Sequence, residues 1–380
     1  MARTRVLIVD DSVVVRKVLT DALARDPDVE VVGSAANGSI ALQKITQVNP
    51  DVIILDVEMP DMDGVETVKR IRAGWPKLPV IMCSSLTERG ADTTLRALAN
   101  GASDYIAKPS RLDTSRVDAV GYFNAELLAK VKALSAQGSS LPAQAAPVSQ
   151  GGWGYPATPP QLEQPRVPRI QGPRAPVSVL GIGCSTGGPN ALATLFEGLP
   201  RDLPVPILIV QHMPPLFTKL LADRLASSSG LTVTEARGGD LVEPGCAYVA
   251  PGDYHMTVVR DGVRMRIALN QEAPENSCRP AVDVLFRSLS KIYGPGVLAT
   301  VLTGMGQDGT RGARAIVEAG GSLIVQDAAT CVVPSMPGAV AAAGLAEEVY
   351  PLDRLSQELV FRIRRTLGSS DALLPRRLEA

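Results

Sequence analysis

Short strand-like runs alternate with helix-period patterns in the first 137 residues of the chain. Residues 6–9 and 52–55 are continuous apolar runs, which are typical of strands buried on both faces of a sheet. The predicted strands are 6–9, 30–34, 52–55, 79–83 and 103–106. The apolar residues that recur at helical spacing after the first strand are Val14, Val15, Val18, Leu19, Ala22 and Leu23. Helical patterns follow the other strands, the last at 117–134, so we predict an α/β domain with a five-stranded parallel sheet.

A second α/β pattern follows from residue 177 onward. Apolar runs predict strands at 177–182, 205–210, 297–302 and 323–325, and helical periodicity predicts helices at 191–199, 216–226, 281–292 and 355–367. This alternation predicts a doubly wound α/β domain. Residues 248–249 and 256–260, followed by an Asp261-Gly262 turn and residues 263–269, predict an antiparallel β-ribbon inserted into that domain.

A proline-rich segment separates the two patterns. Nine of the 30 prolines lie within residues 138–176, and Gly, Gln and Ser fill much of the remainder. Such a segment neither forms a sheet ladder nor buries much apolar surface, which is typical of an extended linker. We therefore expect a first domain at 1–137, a linker at 138–175, a second domain at 176–368 and a tail at 369–380.

Composition narrows the class of protein. The 38 basic and 39 acidic side chains leave a net charge of −1, which argues against a general nucleic-acid binder with a basic stripe. Five cysteines without a C-x-x-C pair favour neither a disulfide scaffold nor a cysteine metal site. No apolar run reaches the length of a membrane span, and the N-terminal run is too short for a signal peptide. We expect a cytoplasmic protein without membrane insertion or nucleic-acid partners.

Polar side chains follow the strands predicted in the first domain. Asp10 and Asp11 follow the first strand, Asp56 the third, Ser84 the fourth and Lys108 the fifth. Because the carboxyl ends of parallel strands meet at one edge of the sheet, we expect these groups to lie together. Clustered carboxylates suit Mg²⁺, and a lysine with a hydroxyl suits a phosphoryl group transferred to an aspartate. The sequence therefore predicts a phosphorylation pocket with Asp56 as acceptor.

The second domain offers a candidate nucleophile. Residues 183–187 read G-C-S-T-G between a predicted strand and helix, a turn that lifts a serine hydroxyl above the sheet edge. Similar glycine-rich turns bind phosphates or dinucleotides, but here the third glycine falls one residue late for the dinucleotide fingerprint. Cys184 beside Ser185 is expected to point into the core, the usual position of a free cysteine.

The choice of base is narrow, because the chain has only two histidines. His212 follows the strand at 205–210, whereas His255 lies at the foot of the predicted ribbon, where a structural role is favoured. Asp308 follows the strand at 297–302 and is the candidate carboxylate that orients the base. Asp308 is also a candidate N-cap for a helix at 310–319. The order Ser–His–Asp differs from that of the α/β-hydrolases.

The first domain resembles the response-regulator receiver family, with a flavodoxin-like sheet. The resemblance rests on the motifs V-L-I-V-D-D-S, I-L-D-V-E-M-P-x-M-D-G, M-C-S-S and K-P. It implies that a histidine kinase phosphorylates Asp56, with Mg²⁺ held by Asp10, Asp11, Asp56 and a backbone carbonyl at Glu58. It also implies that Ser84 and Lys108 sense the phosphoryl group and that Tyr105 is the aromatic switch residue. Glu58 and Ser84 replace residues more usual in receivers, which leaves the dephosphorylation rate open.

The second domain resembles the chemotaxis protein-glutamate methylesterase family (CheB type). The motifs are G-C-S-T-G-G-P, Q-H-M-P-P, A-P-G-D-Y-H-M, R-P-A-V-D-V-L-F and L-T-G-M-G-Q-D-G. The resemblance implies Ser185 as nucleophile, His212 as general acid/base and Asp308 as the orienting carboxylate. Backbone N–H groups at Thr186 and Met305 are the candidates for the oxyanion site.

The resemblance implies a phosphorylation-activated enzyme that needs no cofactor for the esterase step. It would hydrolyse glutamate γ-methyl esters on chemoreceptors, release methanol, and deamidate receptor glutamines. Two alternatives remain at this point: a receiver-controlled interaction protein without catalysis, and a receiver-controlled transcription factor. The near-neutral charge and the lack of a basic recognition helix argue against the transcription factor.

Overall fold

A computed structural model describes residues 3–108, 119–138 and 175–371 of the chain. Most of the predicted linker (139–174) and most of the predicted tail (372–380) lie outside these residues, as do residues 117–118 of the predicted helix at 117–134. Residues 369–371 are the end of the last helix. None of the described helices has the length and apolar character to cross a membrane.

The first domain is a five-stranded parallel sheet with helices on both faces, as predicted. Its strands are β1 Thr4–Val9, β2 Val29–Ala35, β3 Val52–Asp56, β4 Val80–Ser84 and β5 Asp104–Ala107, and they pair in the order β2-β1-β3-β4-β5. Its helices are α1 Val13–Leu23, α2 Gly38–Val48, α3 Gly64–Gly74, α4 Glu88–Ala99 and α5 Ala119–Gly138. The predicted strand bounds differ from the observed ones by one or two residues. Of the apolar residues predicted on α1, Val14 and Val18 are exposed.

Side-chain caps fix where four of these helices begin. The residue before each helix accepts a hydrogen bond from a backbone N–H of the first turn, which would otherwise lack an intrahelical partner. The capping residues are Ser12 before α1, Asn37 before α2, Asp63 before α3 and Thr87 before α4. The loop from β1 to α1 is therefore short and defined, which places Asp10 and Asp11 directly at the sheet edge.

The second domain is a seven-stranded parallel sheet with a two-stranded antiparallel ribbon. Its sheet strands are β6 Val179–Cys184, β7 Ile207–Gln211, β8 Thr232–Glu235, β9 Cys246–Val249, β12 Val297–Val301, β13 Ser322–Gln326 and β14 Glu348–Tyr350. They pair in the order β14-β13-β12-β6-β7-β9-β8. The ribbon is β10 His255–Asp261 and β11 Arg264–Asn270. The chain leaves β6 toward β7 on one side and returns beside it as β12, so the strand order reverses at β6.

The helices of the second domain connect these strands. They are α6 Gly188–Glu197, α7 Phe217–Ser229, α8 Val282–Tyr293, α9 Thr310–Glu318, α10 Ser335–Ala342 and α11 Leu352–Asp371. The predicted Asp261-Gly262 turn joins the ribbon strands, with Gly262 at φ 61°. The doubly wound fold and the ribbon are confirmed.

One predicted pairing is wrong, and three elements were not predicted, namely strands β8 and β14 and helix α10. Residues 248–249 do not belong to the antiparallel ribbon, because β9 pairs in parallel with both β7 and β8. Strands β9, β8 and β14 are only three or four residues long, so each carries too few residues for a clear pattern. Helix α10 is mostly small residues around a proline, which also gives little periodic signal.

The receiver-like domain packs against the helices that follow β6 and β7. The Tyr105 ring, on β5, stacks on the Phe217 ring at the start of α7, with centroids 4.9 Å apart and planes 12° from parallel. Asn190 on α6 donates its side-chain N–H to the carbonyl oxygen of Ala102, 3.2 Å away. Buried apolar residues of both domains form one continuous cluster. The two sheets therefore share part of their core.

Candidate functional site

The three strands at the centre of the second sheet carry the predicted nucleophile, base and carboxylate. Ser185 follows β6, His212 follows β7, and Asp308 lies in the loop between β12 and α9. Since β12, β6 and β7 are neighbours in a parallel sheet, their carboxyl ends lie side by side. This is the point where the strand order reverses, the usual ligand position in such sheets.

The turn that carries Ser185 is tied to its neighbours through the backbone. The Ser185 N–H donates to the Thr303 carbonyl at 3.0 Å, and the Ser185 carbonyl accepts from Gly188 N–H at 2.7 Å. Gly187 has φ 78°, and a Cβ added there would lie 2.5 Å from Val332, so the turn requires glycine. Helix α6 then begins with Gly188 and Pro189, three residues before the start predicted at 191.

The Asp308 carboxylate holds His212 from inside the domain. Its Oδ2 lies 2.7 Å from His212 Nε2, and the side chain is almost fully buried. The same carboxylate accepts hydrogen bonds from the N–H groups of Val282 and Asp283, at 2.6 and 3.0 Å, and from the side chain of Asn276 at 2.8 Å. An ionised carboxylate only accepts, so Nε2 carries a proton and Nδ1 is the nitrogen free to take one.

Asp308 was predicted to cap the helix that follows it, and this prediction is wrong because Asp308 caps a different helix. Helix α9 begins after Gly309 with no side-chain cap. The carboxylate instead receives the first N–H groups of α8, at Val282 and Asp283. The helix N-terminus adds partial positive charge beside this buried acid, which stabilises its ionised form.

Buried charges shift the pKa values of this pair in opposite directions. Burial raises the pKa of Asp308, but the hydrogen bond and charge of His212 and the backbone donors of α8 lower it below its ordinary value. Burial lowers the pKa of His212, while the negative charges of Cys278 and Asp308 and their hydrogen bonds raise it to about 10. The site therefore favours an imidazolium beside Asp308.

Nδ1 of His212 faces a thiol. Cys278 Sγ lies 3.4 Å from Nδ1, and no hydrogen bond between Ser185 Oγ and His212 occurs among the described residues. The structure therefore brings Ser185, His212 and Asp308 to one sheet edge and joins the last two directly. Their catalytic roles stay predictions.

The two oxyanion candidates lie in loops with unused donors. Within the described part of the chain, neither the Thr186 N–H nor the Met305 N–H donates to a backbone carbonyl. Thr186 directly follows Ser185, and Gly304 before Met305 lies so near Ser185 that an added Cβ would be 2.9 Å from the Ser185 Cβ. Both donors are thus on loops that flank the serine.

His255 and Cys184 have the positions expected of structural residues. His255 is buried, with Nδ1 accepting from Ala281 N–H and Nε2 lying 3.2 Å from the Ala273 carbonyl oxygen. Its ring therefore joins the ribbon to the loop before α8. Cys184 is fully buried on the core side of β6, and burial raises the pKa of its thiol.

The acid pocket of the first domain has the predicted members. Carboxylate oxygens of Asp10, Asp11 and Asp56 lie within 4.8 Å of one another. Lys108 Nζ lies 2.9 Å from Asp10 Oδ2 and 2.8 Å from Asp56 Oδ1. Three oxygen donors at this spacing fit a hard divalent cation such as Mg²⁺.

Burial controls the charge of Asp56. It raises the pKa of the Asp56 carboxyl to about 6, against the opposing effect of the Lys108 ammonium. Burial lowers the pKa of Lys108, but the two carboxylates raise it above its usual range, so the lysine stays charged. The pocket thus holds Asp56 near the midpoint of its titration at mildly acid pH.

The other predicted receiver residues lie around this pocket. Ser84 is fully buried at the end of β4, and Tyr105 is buried on β5 against the second domain. The Glu58 side chain is exposed and forms an ion pair with Arg89 at 3.4 Å. Only the backbone of Glu58 is therefore left as a ligand, as the resemblance implies.

Three residues of the second site were not predicted. Asn276 joins the Asp308 and Asp283 carboxylates, and Cys278 contacts His212. Gln211 donates to the carbonyl oxygens of Ser185 and His212, at 3.0 and 3.1 Å. Gln211 had a signal, since it directly precedes His212 in the Q-H-M-P-P motif. Asn276 and Cys278 lie in a loop without regular pattern.

Comparisons with known proteins agree with this geometry. A family model described as "CheB methylesterase" matches residues 180–359, and one described as "Response regulator receiver domain" matches residues 6–117. A Nocardioides protein named "protein-glutamate methylesterase/protein-glutamine glutaminase" is 50% identical over 365 residues, which are 96% of this chain and 97% of that protein. The chain belongs to the CheB methylesterase family.

Two further relatives extend the comparison. A Trichodesmium erythraeum protein of the same name is 48% identical, over 96% of this chain and all of that protein. The crystal structure of the Thermotoga maritima CheB methylesterase catalytic domain is 43% identical, with a TM-score of 0.48, over 48% of this chain and 97% of that one. Every predicted site residue lies within the two ranges that the family models match.

The titration of Asp56 predicts a pH-dependent cation affinity. Mg²⁺ binding is expected to weaken as the pH falls through about 6, because a protonated Asp56 must first lose its proton. Isothermal titration calorimetry with the full chain from pH 5 to pH 8 measures this affinity. Asp56→Asn is expected to bind Mg²⁺ more weakly and to lack this step; the same pH dependence in both proteins would contradict the assignment.

The Asp308 charge predicts the titration of His212. Asp308→Asn removes the negative charge that favours the imidazolium, so the pKa of His212 is expected to fall by about 1 to 3 pH units. NMR of the imidazole signals measures this, and His212→Gln identifies the signal among only two histidines. Asp261→Asn, on the exposed ribbon turn, is the matched control and leaves the titration unchanged. An equal pKa in Asp308→Asn and the parent would exclude the charge pair.

Proposed function

We propose that this protein is a phosphorylation-activated protein-glutamate methylesterase of the cytoplasm. It hydrolyses glutamate γ-methyl esters on chemoreceptors and releases methanol, and it deamidates receptor glutamines with release of ammonia. The observation that carries the proposal is the convergence of Ser185, His212 and Asp308 at the ends of three adjacent strands. The names of the full-length relatives support both activities.

The side chains support acyl transfer through a covalent intermediate. His212 Nδ1 takes the proton of Ser185 as its Oγ attacks the ester carbon, and Asp308 stabilises the imidazolium that forms. The N–H groups of Thr186 and Met305 are placed to hold the negative oxygen of the tetrahedral intermediate. His212 then protonates the leaving methanol, and a water molecule activated by the same imidazole releases the glutamate side chain.

The buried His212–Asp308 pair sets a condition on the transfer of the Ser185 proton. His212 must be neutral to accept the serine proton, yet its neighbours favour the charged form. The Nδ1 proton must therefore be lost before Ser185 can attack.

The receiver pocket supports control by a chemotaxis-type histidine kinase. Asp56 accepts the phosphoryl group, Lys108 and Ser84 contact it, and Tyr105 reports the change to the second domain. Asp10, Asp11, Asp56 and the Glu58 carbonyl would hold Mg²⁺, which neutralises charge on the transferred group when it is bound. Tyr105 is stacked on Phe217, so a change at Tyr105 alters the packing of the receiver on α7.

Removal of the nucleophile tests the catalytic assignment. Ser185→Ala is expected to reduce methanol release from methylated receptor membranes by at least about a thousandfold, because no acyl-enzyme forms. Mg²⁺ binding and phosphorylation of Asp56 are expected to be intact, which shows that the protein is folded. The exposed serine variant Ser178→Ala is the matched control with the parent rate. Undiminished methanol release by Ser185→Ala would exclude Ser185 as the nucleophile, whereas no release by the parent would favour the non-catalytic interaction protein.

Weakening the Tyr105–Phe217 contact between the two domains tests the proposed regulation by the receiver. Phe217→Leu keeps an apolar residue but removes the ring stack, so the unphosphorylated rate is expected to rise about 2- to 12-fold. Acetyl phosphate with Mg²⁺ is expected to activate the parent strongly, Phe217→Leu weakly and Asp56→Asn not at all. Phe286→Leu is the control for general loss of packing, since Phe286 belongs to a core cluster made only of second-domain residues. A response equal in Asp56→Asn and the parent excludes the switch.

A further inference from the structure

Cys278 and His212 form a thiol–imidazole pair inside the candidate active site. Cys278 Sγ lies 3.4 Å from Nδ1, the ring nitrogen that Asp308 does not contact. A tight backbone pair holds the thiol there: the N–H groups of Glu275 and Cys278 donate to each other's carbonyls at 3.1 and 2.8 Å. Cys278 is partly exposed, unlike the three buried cysteines of the chain.

His212 Nδ1 is positioned to accept the proton of the Cys278 thiol. Transfer of the thiol proton to Nδ1 gives a thiolate beside an imidazolium, and the buried Asp308 carboxylate stabilises that cation. The arrangement of nucleophile, base and orienting carboxylate is the one that activates catalytic cysteines and serines. The second site therefore contains two nucleophiles, Ser185 and Cys278, around one base.

The other cysteines lack these conditions. Cys83, Cys184 and Cys331 are buried, and burial raises the thiol pKa of Cys83 and of Cys331 to about 12. Cys246 is partly exposed, like Cys278, but lies on β9, and no contact with a histidine occurs among the described residues. Cys246 is therefore a matched internal reference for a cysteine without a base.

We propose that Cys278 is an oxidation site, at which a peroxide converts the thiol to a sulfenic acid and so stops ester hydrolysis. The Cys278 thiolate attacks one oxygen of hydrogen peroxide, the sulfur–oxygen bond forms, and the oxygen–oxygen bond breaks. The hydroxide that leaves takes the proton from the His212 imidazolium and becomes water. Sulfur is oxidised by two electrons and the peroxide is reduced by two.

Loss of hydrolysis follows from the shared base, and this part of the inference rests on the proposed function. The sulfenic acid places an additional oxygen between the sulfur and Nδ1, where the Ser185 hydroxyl must approach. It also donates a hydrogen bond to Nδ1, which occupies the lone pair that would accept the serine proton. Excess thiol reduces the sulfenic acid to the thiol through a mixed disulfide and releases water, so the loss is reversible.

The test uses the full chain with hydrogen peroxide, dimedone as a trap for sulfenic acid, and mass spectrometry of the cysteine peptides. Dimedone is expected on Cys278 before Cys246. His212→Gln is expected to slow labelling of Cys278 about tenfold, because the base that forms the thiolate is lost, and to leave Cys246 unchanged. His212→Ala is a second variant for the same measurement, and unchanged labelling of Cys246 on β9 shows that the second domain is folded. Equal labelling of Cys278 with and without His212 would overturn the proposal.

Methanol release from methylated receptor membranes provides the second readout. In the parent and in Cys246→Ser, peroxide is expected to remove activity in proportion to labelled Cys278, and dithiothreitol to restore it. In Cys278→Ser, peroxide is expected to leave the rate at that variant's own untreated value. Full activity with Cys278 fully labelled overturns the shared-base inference while the esterase assignment stands. If the parent releases no methanol, the esterase assignment fails, whereas the labelling result still decides the chemistry of Cys278.

Discussion

The buried carboxylate of Asp308 is the group on which the catalytic half of the structure depends. An ionised carboxylate inside a domain is costly unless donors surround it, and this one receives donors from His212, Asn276 and the backbone of α8. These donors come from three separate segments of the chain. The Asp308 carboxylate needs all of these hydrogen-bond donors. This requirement fixes the end of β7, the loop before α8 and the loop after β12 relative to each other.

The residues of this site that follow predicted strands can be found from the sequence, whereas those in irregular loops cannot. Ser185, His212 and Asp308 each follow an apolar run, so the rule for parallel sheets brings them to one edge, and two histidines leave little choice of base. Cys278 and Asn276 lie in a loop whose position is set by backbone pairs and by contacts with residues distant in sequence. The same limit explains why the capping role of Asp308 was predicted wrongly. Asp308 caps α8, where its partner Asp283 lies 25 residues earlier in the chain, and not the helix that follows it.

Some strands of the fold are determined by their own sequence pattern, whereas others are determined by the strands with which they pair. Strands β1, β3 and β4 of the receiver contain continuous apolar runs, and the sequence predicts all five strands to within one or two residues. Strand β9 has only four residues, and what decides its place is the space between β7 and β8 rather than its own pattern. Sequence next to an antiparallel ribbon suggested antiparallel pairing, and the sheet provided two parallel neighbours instead.

Each pocket places one basic side chain between two partners: Lys108 lies between Asp10 and Asp56, and His212 lies between Asp308 and Cys278. Under the proposed function, a phosphoryl group on Asp56 adds negative charge beside Lys108. Lys108 directly follows the short strand β5, which carries Tyr105, and the Tyr105 ring stacks on Phe217, the first residue of α7. Helix α7 in turn begins five residues after His212. One strand, one ring contact and one loop thus connect the two pockets, and they form the route by which the proposed switch would act on His212.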